Sequence, residues 1–193
     1  SVHIPTIPER VIRFIGNNNE ILIDDVISFT KKKGITIPRL LELFDDISNH
    51  FFIKNHDTLI SRSSLSLNNS ILEQVADLII DELKDVDCIA IRDLRCLSLL
   101  PSISVPWEEW LIYSIIRKHI PSIHTYTTSS QFRHGIPVIS LTSMVTEIEL
   151  SEIAQRHEGN THAVVHTTVD NLDNLDELIE DMIDFNWEDE DEL

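Results

Sequence analysis

The sequence predicts a mainly α fold with small β-hairpins, an α+β class, built as two copies of one small unit and completed by an acidic helical segment. Three observations predict it. The chain matches itself at an offset of 68 residues. Within each copy, stretches of helical spacing alternate with short β-rich runs. Charge is balanced over the first three quarters and strongly acidic over the last. With 193 residues, 42% of them apolar and 25% charged, the chain can bury a core and has room for one ordinary domain or two small ones.

The repeat is ungapped. Residues 21–47 fall on 89–115, with identities Ile21/Ile89, Ile23/Ile91, Asp25/Asp93, Ile35/Ile103, Pro38/Pro106, Leu43/Leu111 and Ile47/Ile115. That is 7 of 27, where composition alone would give about two. Six more pairs keep their character, among them Val26/Leu94, Phe29/Leu97 and Phe44/Ile112. Shared amphipathic patterning contributes part of such a match. Its concentration at apolar and punctuation positions is what a shared fold imposes.

In the first copy, Pro8 to Ile15 places Val11, Ile12 and Ile15 on one helical face, with Pro8 suited to a first helical position. Asn17-Asn18-Asn19 ends it, and Ile21-Leu22-Ile23 reads as a short strand. Asp24 or Asp25 is expected to cap a second helix with Val26, Ile27 and Phe29 inward. Lys31, Lys32 and Lys33 fill its last turn, where cations meet the negative helix end, and Gly34 supplies a left-handed stop. Thr36-Ile37-Pro38 restarts a helix with Leu40, Leu41, Phe44 and Ile47 inward. Phe51-Phe52-Ile53 and Leu59-Ile60, around a Lys54-Asn55-His56-Asp57 turn, form a hairpin.

The second copy repeats this order. Ser70 to Leu83 is an amphipathic helix, Ile89-Ala90-Ile91 a short strand, and Asp93 to Leu100 a second helix. Trp107 to His119 is the third, with Trp110, Leu111, Ser114 and Ile115 on one face. Ile123 to Thr128 and Ile136 to Leu141 make a hairpin with a longer tip over 129–135. Beyond it, Val145 to His157 reads as a helix stopped at Glu158-Gly159-Asn160, and Ala163-Val164-Val165 as a strand. Leu172 to Phe185 carries an apolar stripe backed by Asp and Glu, which either packs in cis or docks in a partner groove.

The order helix, strand, helix, helix, hairpin, twice over, resembles tandem winged helix-turn-helix domains, with the first over 8–67 and the second over 68–145. An acidic helical segment over 146–186 and an acidic tail over 187–193 follow. The resemblance rests on element order and the repeat. It implies DNA binding, with each third helix in the major groove and the hairpin wing on the backbone. That role needs basic side chains for phosphates. The first copy offers Lys31, Lys32, Lys33, Arg39, Lys54 and Arg62, set against Glu42, Asp45 and Asp46 on the same helix. The second opens its third helix with Trp107-Glu108-Glu109-Trp110, whose carboxylates would repel phosphates, and its wing offers only Arg133 and His134.

Charge location sharpens the choice. Residues 1–75 hold 8 basic against 9 acidic side chains, residues 76–145 hold 6 against 8, and residues 146–193 hold 1 against 16, for a net charge of −18. The acidic end is either a solubilising tail or an interaction tail that occupies a basic groove when DNA is absent. Winged helices also serve as adaptors, and aromatic residues anchor interfaces. Trp107 is the better candidate for exposure, and Trp110 reads as core.

Catalysis and metals find little support. There is no G-x-S-x-G elbow, P-loop or G-x-G-x-x-G among only four glycines. His157, His162 and His166 would suit a metal only if 162–166 were helical, and Cys88 and Cys96 lack zinc-site spacing and read as core residues. Two cysteines, no long apolar run and no signal-like start fit an intracellular protein, cytoplasmic or at the nucleoid or nucleus. Ser1 in place of Met suits a processed protein or a piece of a longer one. The sequence thus points to a non-enzymatic regulatory or adaptor module, without cofactor, metal, small-molecule substrate or membrane partner. It binds a protein through Trp107, Glu108 and Glu109 in a nucleic-acid-linked process. The alternative is a DNA-binding regulator using the basic set of the first copy, with the tail as autoinhibitor.

Overall fold

Thr6 is the N-cap of α1 (Ile7–Ile15): its Oγ1 accepts from the Glu9 N–H at 3.4 Å, and Glu9 Oε2 accepts from the Thr6 N–H at 2.7 Å. Gly16, with φ of 60°, ends the helix in a conformation that side chains resist. The computed structural model describes residues 4–34 and 40–165. The restart at Thr36-Ile37-Pro38 with Arg39, His166, the acidic helix over 172–185 and the tail over 187–193 lie outside the described residues.

The first half continues with β1 (Glu20–Leu22), α2 (Ile23–Lys32), α3 (Leu40–Ile47), β2 (Phe51–Ile53) and β3 (Thr58–Ser61). The second comprises α4 (Asn69–Leu83), β4 (Ile89–Ala90), 3-10 turns over Ile91–Asp93 and Arg95–Leu99, α5 (Glu109–His119), β5 (His124–Thr127) and β6 (Pro137–Ser140). The class is α+β, with helices around two small antiparallel sheets. The sheet orders are β1-β3-β2 and β4-β6-β5, so the last strand of each half lies between the other two. Ile21 pairs with Leu59, and its repeat partner Ile89 pairs with Ile139, so both join the last strand of their half.

Several local expectations are corrected. Neither Asp24 nor Asp25 caps α2: Leu22 holds the N-cap position without a side-chain bond, and both aspartates sit in the first turn beside the positive helix end. The second helix of the second half is two 3-10 turns separated at Leu94, which is extended. Glu82 on α4 caps the second turn, its carboxylate accepting from the Arg95 N–H at 2.7 Å and the Cys96 N–H at 2.9 Å. Ile91 belongs to the first of these turns rather than to the strand. Trp107 precedes α5, which starts at Glu109. The final described helix, α6 (Glu147–Val165), runs through Gly159-Asn160, so the expected break at 158–160 and strand at 163–165 are helix instead. A single interior glycine costs a helix about 1 kcal/mol relative to alanine, which a helix of 19 residues can carry.

Residues up to Ala154 form one compact unit, and those from Gln155 another. Within the first, the two halves share a core: Val11, Ile15, Val26, Phe44 and Ile47 belong to the same cluster as Val75, Ile79, Trp110, Tyr113 and Ile139. At about 1.5–3 kcal/mol per large buried side chain, this cluster dominates the stability of the unit. The seam is also polar. The outward-facing N–H of Ile53 on β2 donates to Ser114 Oγ of α5 at 3.1 Å. Arg117 of α5 forks onto both Asp45 oxygens of α3 at 2.7 Å each. Arg133 meets Asp24 at 2.5 Å. Among the described residues no helix is long and apolar enough to cross a membrane.

Candidate functional site

The two third helices have unequal surroundings. In α3, Leu43, Phe44 and Ile47 are buried while Glu42, Asp45 and Asp46 are exposed. In α5, all seven residues from Trp110 to Ile116 are buried. The helix lies against its own strands β5 and β6 and against β2 of the other half, so it has no solvent face over two turns. The wing tip of the second half is equally committed. Phe132 is buried within it, its ring centroid 4.5 Å from Trp110 and 5.6 Å from Phe44, and Arg133 is held by Asp24.

The basic residues named from sequence are dispersed. Lys31 and Lys32 end α2 and Lys33 follows them, all exposed. Lys54, at the β2–β3 turn, pairs with Glu20 at 2.8 Å. Arg62 lies over the Phe52 ring at 5.4 Å, and Arg39 is outside the described residues. No single strip of phosphate donors emerges from this set among the described residues.

The other predicted trio is brought together. Trp107, Glu108 and Glu109 line one cleft of about 390 Å³, closed by Asn55 and His56 from the β2–β3 turn, Arg92 and Leu97 from the 3-10 turns, and Trp110 and Ile112 from α5. Trp107 is half-buried, packs on the core, and donates its indole N–H to Pro101 O at 2.8 Å, which fixes the ring. Trp110 is 1% exposed and stands edge-on to His56 at 5.8 Å. Its Nε1 is buried and has no hydrogen-bond partner. Arg92 forks onto Glu109 at 2.9 and 2.6 Å, and that bond holds the guanidinium above its ordinary pKa against the opposing effect of burial. Glu108 is left with only the Asn55 amide at 3.5 Å, the outer limit of a hydrogen bond.

Asn55, His56, Arg92 and Leu97 were not singled out from sequence. They come from three separate elements, and only the turn position of Asn55-His56 offered a signal. Cys96 is buried, and burial together with Glu82 pushes its thiol up to about 12, so it stays protonated and inert. His157 and His162 both lie on α6, and among the described residues no three His, Cys, Asp or Glu side chains stand together as metal ligands. Compared with family models, with curated proteins and with solved structures, the chain matches none.

Proposed function

We propose that this chain is a non-enzymatic adaptor or regulatory module that acts by protein–protein contact in a nucleic-acid-linked process. Its two halves are read as winged helices: each runs helix, strand, helical segment, helix, hairpin, with the last strand between the other two. The observation that carries the reading is the burial of α5 from Trp110 to Ile116. A winged helix that reads DNA needs that helix free to enter the major groove. Here it is spent on joining the halves, and the chain at its start bears Glu108 and Glu109 beside a cleft.

A second reading is kept because Lys31, Lys32 and Lys33 are exposed on consecutive positions. They, with Arg39, Lys54 and Arg62, would meet phosphates, and the acidic end would compete for them.

The test is duplex binding followed by fluorescence anisotropy at low and moderate salt, with the full chain and with a chain ending at Glu158, which keeps Ile153 packed on Ala90 and Val138. The adaptor reading expects no saturable binding by either. Binding by the shorter chain, lost when the three lysines become alanine, would establish the DNA-binding reading instead. For the adaptor reading, a photo-crosslinking residue at position 108 should trap a protein, and trapping should fall when Trp107 becomes alanine in a chain that still folds.

A further inference from the structure

The charge of the cleft at the start of α5 is not evenly spent. Glu109 is neutralised by the Arg92 fork. Glu108 makes no ion pair among the described residues, and its carboxylate hydrogen-bonds there to the Asn55 amide alone, at 3.5 Å. One carboxylate therefore stands without an ion-pair partner in a cleft also lined by Trp107, Trp110 and His56. An indole and an acid together are groups that recognise a cation, the ring face through its quadrupole and the carboxylate through charge.

A second observation points to a peptide. Trp110 is buried to within 1% of its surface, lines this cleft, and has an Nε1–H with no partner. A buried donor left unpaired costs free energy comparable to a lost hydrogen bond. A main-chain carbonyl in the cleft is the complementary group.

We propose that this cleft receives an arginine side chain of a basic segment in a partner protein, with the guanidinium on Glu108 and over Trp107, and a neighbouring peptide carbonyl on Trp110 Nε1. The inference rests on the adaptor reading and names the chemistry of the partner. Arginine is preferred over lysine because its planar fork can both chelate a carboxylate and stack on an indole.

The probe is an acetylated, amidated peptide of five residues with arginine at its centre and alanine elsewhere, titrated into the full chain. Its citrulline analogue keeps the shape and removes the charge. The readout is the set of indole N–H resonances in a ¹⁵N-labelled sample, assigned by substitution, because total binding would also count peptide on the acidic end. The expected result is saturable movement of the Trp107 and Trp110 signals, weakened about ten-fold or more by citrulline and by Glu108→Gln, the usual scale for losing one charge-assisted contact. Glu108→Gln should keep the wild-type melting midpoint, which separates lost binding from lost fold. Equal binding of the citrulline peptide, or full affinity in Glu108→Gln, would overturn the cation site while leaving the cleft a protein-binding one. Unmoved indole signals would overturn it too, and if crosslinking at position 108 still traps a protein, the adaptor reading survives that failure.

Discussion

Helices α3 and α5 occupy equivalent places in the two halves, and Leu43/Leu111 and Ile47/Ile115 are identical pairs across them. Yet α3 keeps Glu42, Asp45 and Asp46 in solvent, while α5 is buried on every side from Trp110 to Ile116. The difference teaches that a repeat preserves topology more readily than role. Once two copies pack face to face, one third helix becomes the common core and the other stays at the surface. The largest test of this inequality is Trp110→Ala. Removing an indole from a site 1% exposed and in ring contact with His56, Tyr113 and Phe132 should cost about 3–5 kcal/mol. Leu41→Ala, at a half-buried position of α3, should cost clearly less. Equal losses in urea unfolding would mean that α5 is not the central helix.

The next effect concerns the seam. Ser114→Ala leaves the Ile53 N–H of β2 without its acceptor in a buried setting, a loss of about 1–3 kcal/mol. Amide exchange at Ile53 should quicken more than at Leu59, which lies on the central strand. If Ile53 exchange is unchanged, the bond does not hold the first sheet onto α5. A smaller effect is expected from the Asp45–Arg117 fork. Its groups are 41% and 38% exposed, so solvent screens it, and a double-mutant cycle with alanine should return less than about 1 kcal/mol of coupling. A coupling several times larger would make the fork, rather than the shared core, the element that joins the halves.

Much of this was legible in the sequence because it is local. Pro8 and Gly34 marked helix boundaries through backbone preference, and the repeat foretold a short strand and a hairpin in each half. What was not legible depends on distant partners. Asp93 to Leu100 has helical periodicity, but Leu94 is extended, and Glu82 from another helix caps the Arg95 and Cys96 N–H groups of a separate 3-10 turn. Phe132 read as a loop residue in a wing tip, and its burial needs Phe44 and Trp110 from opposite halves. The candidate cleft was half legible: Trp107, Glu108 and Glu109 are contiguous, whereas His56 and Arg92 reach it from other elements. No spacing rule connects positions brought together only by the docking of the two halves.

The smallest effect lies at the far end of α5 and reports the same burial by titration. His119 is held below its ordinary pKa by burial first, then by the positive charges of Arg62 and Lys118. Its Nε2 is buried and unpaired, and its ring meets Phe52 edge-on at 5.9 Å. The native state therefore resists the proton that the unfolded chain accepts. Between the lowered native value and the ordinary one near 6.5, the unfolded state binds more protons, so stability rises with pH in that window. This contribution is fully present above about pH 7 and is lost as the pH falls through the histidine range. Replacing His119 with Asn should flatten that part of the stability profile between pH 7.5 and 5.5 while leaving the more acidic limb in place. The comparison to make is the difference between the two profiles, because the other eight histidines contribute to both. An identical slope in the variant would show that the end of α5 is open to solvent, as the exposed face of α3 is, and the two helices would then differ only over their middle turns.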